Sequence, residues 1–273
     1  MNGKTYYNEW DQKAAAVLRA RIADGSLPDG DVDTRSIEDV TADDLQGYVS
    51  CHFFAGIGGW PLALRQAGWP DDRPVWTGSC PCQPFSRAGK GLGFADERHL
   101  WPSFHWLIQQ CRPPVIFGEQ VAGADADPWI DLIQFDLEAL DYAVGAVPFP
   151  AAGVGAPHIR DRLYWVADTE SGSERWPREP QASTSVSHRG RSTDDRAYWS
   201  SDTWILCSDG KRRPIEPGIL PMADGLPGAV DSIAAYGNAV VVPAAREFIA
   251  AYLDYYMARD HQRERARNQA LSC

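Results

Sequence analysis

No apolar run in the sequence is long enough to cross a bilayer. The chain also opens without the apolar core of a secretory leader. Both absences lead us to expect a protein of the cytoplasm. Cysteine is sparse, with six in 273 residues and no regular spacing. That points to reduced thiols and away from a disulfide-stapled fold. Basic charge is also short, with 26 Lys+Arg against 37 Asp+Glu and a net charge of −11. Such a balance opposes binding to a polyanion, whose contacts need Lys and Arg. The deficit is uneven, however. Residues 1–150 hold 11 basic against 21 acidic side chains, and residues 151–273 hold 15 against 16. The second half can still present a basic face, so the charge weakens a nucleic-acid reading without excluding it. The length suffices for one large α/β domain and a small appendage.

What is present alternates between short apolar runs and helical periods. Tyr6-Tyr7 reads as a strand ending at Asn8-Glu9-Trp10-Asp11. Ala14, Val17, Leu18, Arg21 and Ile22 then recur at helical spacing up to Gly25, and Ser36–Val40 is expected as a second strand. Cys51–Phe54 is an apolar strand running into Ala55-Gly56-Ile57-Gly58-Gly59, with Pro61 in a helical first turn and Gly68 as its stop. A strand, a glycine-rich turn and a helix let a nucleotide approach the backbone. Further strands are expected at Pro74–Thr77, Val115–Gly118, Tyr142–Val147 and Leu163–Ala167, with helices at Leu100–Cys111 and from Asp127 to Leu140. The alternation argues for an α/β fold with a doubly wound, mostly parallel sheet and ligands at the carboxyl ends of its strands. From Asp168 to about Pro217 Ser, Thr, Arg, Pro and Asp dominate, the composition either of a disordered insert or of a small irregular recognition segment. A helix is expected from near Pro243, and the basic stretch Arg259–Arg267 as a frayed tail.

One stretch organises the rest: Gly78-Ser79-Cys80-Pro81-Cys82-Gln83-Pro84-Phe85-Ser86. A strand delivers a thiol to the foot of a glycine-rich, basic loop, which suits a nucleophile that is covered when substrate arrives. The alternatives are a packed thiol, or a Cys-x-Cys metal clip completed by Cys51 or Cys111.

Five motifs follow in order: Phe54-Ala55-Gly56-Ile57-Gly58-Gly59, Pro81-Cys82-Gln83, Gly118-Glu119-Gln120-Val121, Arg160-Asp161-Arg162 and Gly237-Asn238-Ala239-Val240. Together they resemble the DNA (cytosine-5)-methyltransferases. The resemblance implies a Rossmann-like domain that binds S-adenosyl-L-methionine and acts on double-stranded DNA. It expects no metal, no membrane, and residues 168–230 as the target-recognition region. The catalytic and cofactor domain would take residues 1–167 and 231–260, with 261–273 a flexible basic tail. The motifs do not address oligomeric state.

The spacing departs from the family. Relatives place a β-α-β piece between the glycine turn and the Pro-Cys-Gln turn, and here only 28 positions separate Phe54 from Cys82. Asn8-Glu9-Trp10-Asp11 and the helix after it resemble the ribose-binding motif of that missing piece. Ser36-Ile37 resembles the motif that meets the adenine, with Asp33 or Asp39 as substitutes for the acid that Ser36 lacks. The resemblance therefore implies a circularly permuted domain. Thr41–Ser50, spanning up to ~33 Å when extended, would bridge the ~25–30 Å return from the second strand.

In the chemistry the resemblance implies, Cys82 adds to cytosine C6, with Cys80 the second choice, and the ring then attacks a methyl donor through C5. Glu119 protonates N3, which needs a raised pKa. Arg162 serves the base carbonyl and Arg160 supports it. Phe54 to Gly59, Glu9, Trp10, Ser36, Ile37, Pro81, Asn238 and Ala239 hold the cofactor, Asn238 chiefly as a brace. The base must leave the duplex, with Ser86, Arg87, Lys90 and Arg98 on the closing loop. The short recognition region resembles phage members of the family and self-protection as in restriction-modification. A different one-carbon donor, or an idle DNA-binding relative, are the competing readings.

Overall fold

The computed structural model describes residues 4–80, 100–122, 127–156, 159–169, 203–206, 212–215 and 239–270. Strand β1 (Lys4–Asn8) leads into helix α1 (Gln12–Ala23) and strand β2 (Gly30–Asp33). Strand β3 (Tyr48–Phe53), helix α2 (Gly59–Ala67) and strand β4 (Val75–Gly78) follow. After them come α3 (Trp101–Cys111), β5 (Val115–Val121), α4 (Asp127–Glu138), β6 (Ala143–Pro150) and β7 (Asp161–Asp168). A short antiparallel pair, β8 (Thr203–Leu206) and β9 (Arg212–Ile215), precedes the long helix α5 (Val242–Ala270).

Seven strands form one sheet in the order β2-β1-β3-β4-β5-β7-β6. Neighbours from β2 to β5 are parallel, and β7 runs antiparallel to both β5 and β6. The carboxyl ends of β1 to β5 therefore share one rim, and β7 begins there. Alternation along each strand feeds two cores. Val75, Val115, Phe117, Tyr164 and Val166 pack with α2 and α5, whereas Phe53, Trp76, Ile116, Trp165 and Ala167 pack with α3 and α4. This is the expected doubly wound, mostly parallel α/β sheet.

Local chemistry explains the elements. Asp11 caps α1 by accepting from Lys13 N and Ala14 N, each at 2.9 Å. Trp129, Ile133 and Leu137 set the buried stripe of α4 at four-residue spacing.

Several expected boundaries are corrected. The second strand is Gly30–Asp33, and Ser36–Val40 instead holds a 3-10 helix over Ile37–Asp39, with the Ser36 hydroxyl accepting from Glu38 N. The strand Gly-Asp-Val-Asp has one apolar residue and no readable period; tight packing positions it, since a Cβ on Gly30 would lie 2.0 Å from the Thr5 carbonyl oxygen. The link to β3 accordingly starts after Asp33 and holds a second 3-10 turn at Asp43–Leu45. Strand β5 runs on to Val121, so Glu119 sits inside the strand and not past its end; pairing of Val121 with Arg162 keeps it extended. The backbone of α5 remains helical through the basic stretch to Ala270, a stretch without Gly or Pro.

Candidate active site

The rim is built outward from the end of β3. Phe54 and Gly56 both turn through positive φ, at 52° and 56°, and Gly58 caps α2 at φ 87°. The turn is tied to β1, with Ala55 N donating to the Asn8 carbonyl at 3.0 Å. Glu9 closes it from the side: Oε2 accepts from Gly56 N at 2.7 Å and Oε1 from Asp11 N at 2.9 Å. Those bonds use about two of the roughly four lone-pair positions of a carboxylate, leaving capacity for hydroxyl donors. Burial raises the Glu9 pKa, and the two backbone bonds oppose that rise. Beside it the Trp10 ring is 75% exposed. A Cβ on Gly56 would meet no atom within 4 Å, so the space over the turn is open. On the turn's other flank, a Cβ on Gly59 would lie 3.2 Å from Val240 Cβ, which brings Ala239-Val240 against it.

The structure thus gathers Glu9, Trp10, Phe54 to Gly59 and Ala239 at one place. Ser36 and Ile37 are next to them, because Asn8 Nδ2 donates to the Arg35 carbonyl and Glu9 N to the Asp33 carbonyl. Ile37 is buried, and the Ser36 hydroxyl is engaged with Glu38. Asp33, the suggested substitute acid, is committed elsewhere: it accepts from Arg35 Nη2 at 2.6 Å and Tyr6 OH at 2.7 Å. Pro81, Cys82, Ser86, Arg87, Lys90, Arg98 and Asn238 lie outside the described residues.

The second half of the rim is the exit of β4 and the end of β5. Gln120 is buried and donates from Nε2 to the Cys80 carbonyl at 3.4 Å, while Trp60 Nε1 donates to Ser79 Oγ at 2.9 Å. The chain is therefore fastened two residues before Cys82. On the opposite face of β5, Glu119 Oε1 lies 2.5 Å from Arg162 Nε. The two are diagonal neighbours across the antiparallel β5–β7 pair, within reach for long side chains. Burial raises the Glu119 pKa, and Arg162 and then Arg160 pull against it. The two arginines of the motif have different hydrogen-bonding partners, although the charge of each acts on Glu119. Arg162 meets Glu119, whereas Arg160, at φ 32°, donates from Nη2 to the Ala239 carbonyl at 2.6 Å.

As for the metal clip, no group of three His, Cys, Asp or Glu suited to a metal occurs among the described residues. Cys51 is buried within β3, where burial pushes its thiol pKa up.

Two residues that shape the rim were given no role at the site from sequence. Gln120 gave a faint sign as a polar residue on the inward phase of an apolar strand. Arg21 gave a clearer one, as a charge on the apolar phase of α1. It is 6% exposed and donates from Nη1 to the Ile57 carbonyl at 2.7 Å.

A glycine turn after a central strand, with a carboxylate on the neighbouring strand end, is the layout of a nucleotide-binding α/β enzyme. Residues 70–195 match the model of the C-5 cytosine-specific DNA methylase family. The type II methyltransferase M1.ScrFI of Lactococcus lactis subsp. cremoris is 35% identical over 140 residues, covering 48% of this chain and 36% of that protein. Type II methyltransferase M.HhaI of Haemophilus parahaemolyticus is 26% identical over 165 residues, covering 59% and 41%. The crystal structure of S. pombe Dnmt2 methyltransferase superposes with a TM-score of 0.40 at 16% identity, over 76% of this chain and 65% of that one. The chain spans about two fifths of the length of the two curated relatives. Among the described residues no helix is long and apolar enough to cross a membrane.

Proposed function

We propose that this chain methylates cytosine at C5 in double-stranded DNA, with S-adenosyl-L-methionine as donor and with a catalytic domain whose β1-α1-β2 unit is transposed ahead of the glycine turn. The observation that carries the reading is the pairing of the buried Glu119 with the partly exposed Arg162, set across β5 from the Gln120 amide that fastens the chain just ahead of Cys82.

Stacked in a duplex the target base is out of reach, so it is flipped into the rim. The Cys82 thiolate forms a bond to C6, and electron density moves towards N3 and C5. Glu119, its pKa raised by burial, donates a proton to N3. Arg162 keeps that carboxyl in place and is available to the base carbonyl. Arg160 holds the Ala239 segment against the glycine turn. Once C5 has gained the methyl group, loss of the C5 proton to solvent, return of the N3 proton to Glu119 and elimination of the Cys82 thiolate complete the sequence.

The rim fits the donor on two counts, the open space over Gly56 and the residual acceptor capacity of Glu9 for ribose hydroxyls. Trp10 offers an exposed ring for the adenine, and Ile37 an apolar edge. When bound, S-adenosyl-L-methionine supplies an electrophilic methyl group. The strand order supports a transposition: moving β1-α1-β2 from its present place to a point between α2 and β4 would give the arrangement of the relatives and leave every pair of sheet neighbours unchanged. Because this exchanges two neighbouring segments and alters the cyclic order of the chain, it differs from the circular permutation expected from the sequence. Ser86, Arg87, Lys90 and Arg98 belong to the closing loop in this proposal, and residues 168–230 to target recognition.

The test is transfer of labelled methyl from S-adenosyl-L-methionine to duplex DNA of mixed sequence. Label at cytosine C5 is expected with the wild type, none with Cys82→Ser, and a raised cofactor KM with Glu9→Ala. An unchanged KM in Glu9→Ala would remove the transposed ribose site alone. Absence of label in every DNA would leave a different one-carbon donor, or a binding protein without transferase activity.

A further inference from the structure

The glycine turn is gripped at three successive residues by the unit that precedes it in the chain. Glu9 takes the Gly56 N–H, Arg21 takes the Ile57 carbonyl, and Leu27 and Leu18 close on Gly58, where an added Cβ would lie 2.4 Å from Leu27 Cδ1. Of these, Arg21 is the unexpected member. Arginine is almost never buried unless its donors are satisfied, and here the side chain crosses from the inner phase of α1 to a backbone carbonyl 36 residues away. A carbonyl held by a cation cannot rotate freely, and the two ends of a peptide plane turn together. Fixing the Ile57 oxygen towards α1 therefore fixes the Gly58 N–H on the opposite side, where it bonds the Ala55 carbonyl at 2.9 Å and completes the tight turn.

We infer that Arg21 is a positioning residue for the cofactor turn: its guanidinium sets the Ile57–Gly58 peptide so that the open side of Gly56 faces the donor. The inference rests on the proposed binding of S-adenosyl-L-methionine at this rim. A second arginine supplies the contrast. Arg65 also joins α2 to the end of α1, donating from Nη1 to the Gly25 carbonyl at 3.0 Å, and its Nη2 donates to Asp71 Oδ2 at 2.8 Å.

The experiment compares full-length wild type, Arg21→Lys, Arg21→Met and Arg65→Met. The readouts are S-adenosyl-L-methionine binding by calorimetry, KM and kcat for the cofactor, and unfolding temperature without ligand. Loss of a hydrogen bond to a charged group corresponds to a weakening on the order of 10- to 100-fold. We expect Arg21→Met to raise Kd and KM in that range with kcat at saturating cofactor nearly unchanged, and Arg21→Lys to recover part of the loss. Arg65→Met is expected to lower the unfolding temperature without altering Kd. Equal cofactor affinity in Arg21→Met and wild type would overturn the inference. So would parallel losses of affinity in Arg21→Met and Arg65→Met that track unfolding temperature. If Arg21→Met does not fold, Arg21→Lys decides alone, and a folded Lys variant with wild-type Kd refutes the role. Failure of the wild type to bind the cofactor would instead reject the proposed function.

Discussion

Replacing Arg162 with Met tests the electrostatics at the rim. The Glu119 and Arg162 side chains are 10% and 19% exposed, so their attraction is little screened by water. Removing one partner of a buried pair leaves an uncompensated charge and costs roughly 3–5 kcal/mol. Glu119 has an escape, because a carboxylate stripped of its cation takes up a proton. Burial already raises its pKa, and Arg162 is the first of the groups holding that rise back, so the substitution should raise it further. A carboxyl whose folded pKa is raised contributes stability below its unfolded pKa of about 4.3 and loses it as pH climbs through the folded value. Arg162→Met should accordingly be close to wild type near pH 4 and fall behind as pH rises. The slope is at most about 1.4 kcal/mol per pH unit, and the deficit should level off at about 3 kcal/mol once Glu119 ionises. Urea unfolding from about pH 4 to pH 9 measures this, with Glu119→Gln/Arg162→Met as the control that cannot titrate. A deficit that is constant with pH, or equally steep in the double variant, would refute the reasoning.

Two further perturbations probe other parts of the sheet. His52 is buried, its Nδ1 lies 2.8 Å from Thr77 Oγ1, and burial pushes its pKa down to about 3. A base with a depressed folded pKa gives stability present above about pH 6.5 and lost as pH falls. The acid side of the wild-type curve should therefore be steeper than that of His52→Gln by up to about 1.4 kcal/mol per pH unit, and equal slopes would reject the point. Gln120→Leu removes the amide that donates to the Cys80 carbonyl, for a stability cost of about 1 kcal/mol. Methyl transfer should fall at least about tenfold while cofactor affinity is retained, and a parallel loss of both would show that Gln120 does not act through the Cys82 segment.

The parts of the fold legible in the sequence were those with a strong local signal. β3 with its glycine turn, α3 and β5 combine apolar runs with glycine or proline punctuation, and each was expected within a few residues of its place. β2 was misplaced because a single valine among aspartates carries no period, and because its position depends on the close approach of Gly30 to Thr5, a contact no local pattern encodes. At the rim, Glu119 and Arg162 were readable as motif residues. Their diagonal pairing came only from the antiparallel register of β5 and β7. Arg160 was expected beside Arg162, but its carbonyl partner lies 79 residues further on, and sequence spacing has no access to such a bond.

The strand β7 carries a pin at each end. Arg160, just before it, holds the Ala239 carbonyl at 2.6 Å, and Asp168, its last residue, accepts from Tyr252 OH at 2.9 Å. The chain is thus anchored to the same strand on either side of residues 170–238. For a segment with fixed ends, doubling the length costs only about 0.6 kcal/mol in closure entropy. Evolution can then lengthen, shorten or exchange that stretch almost independently of the sheet that supports it.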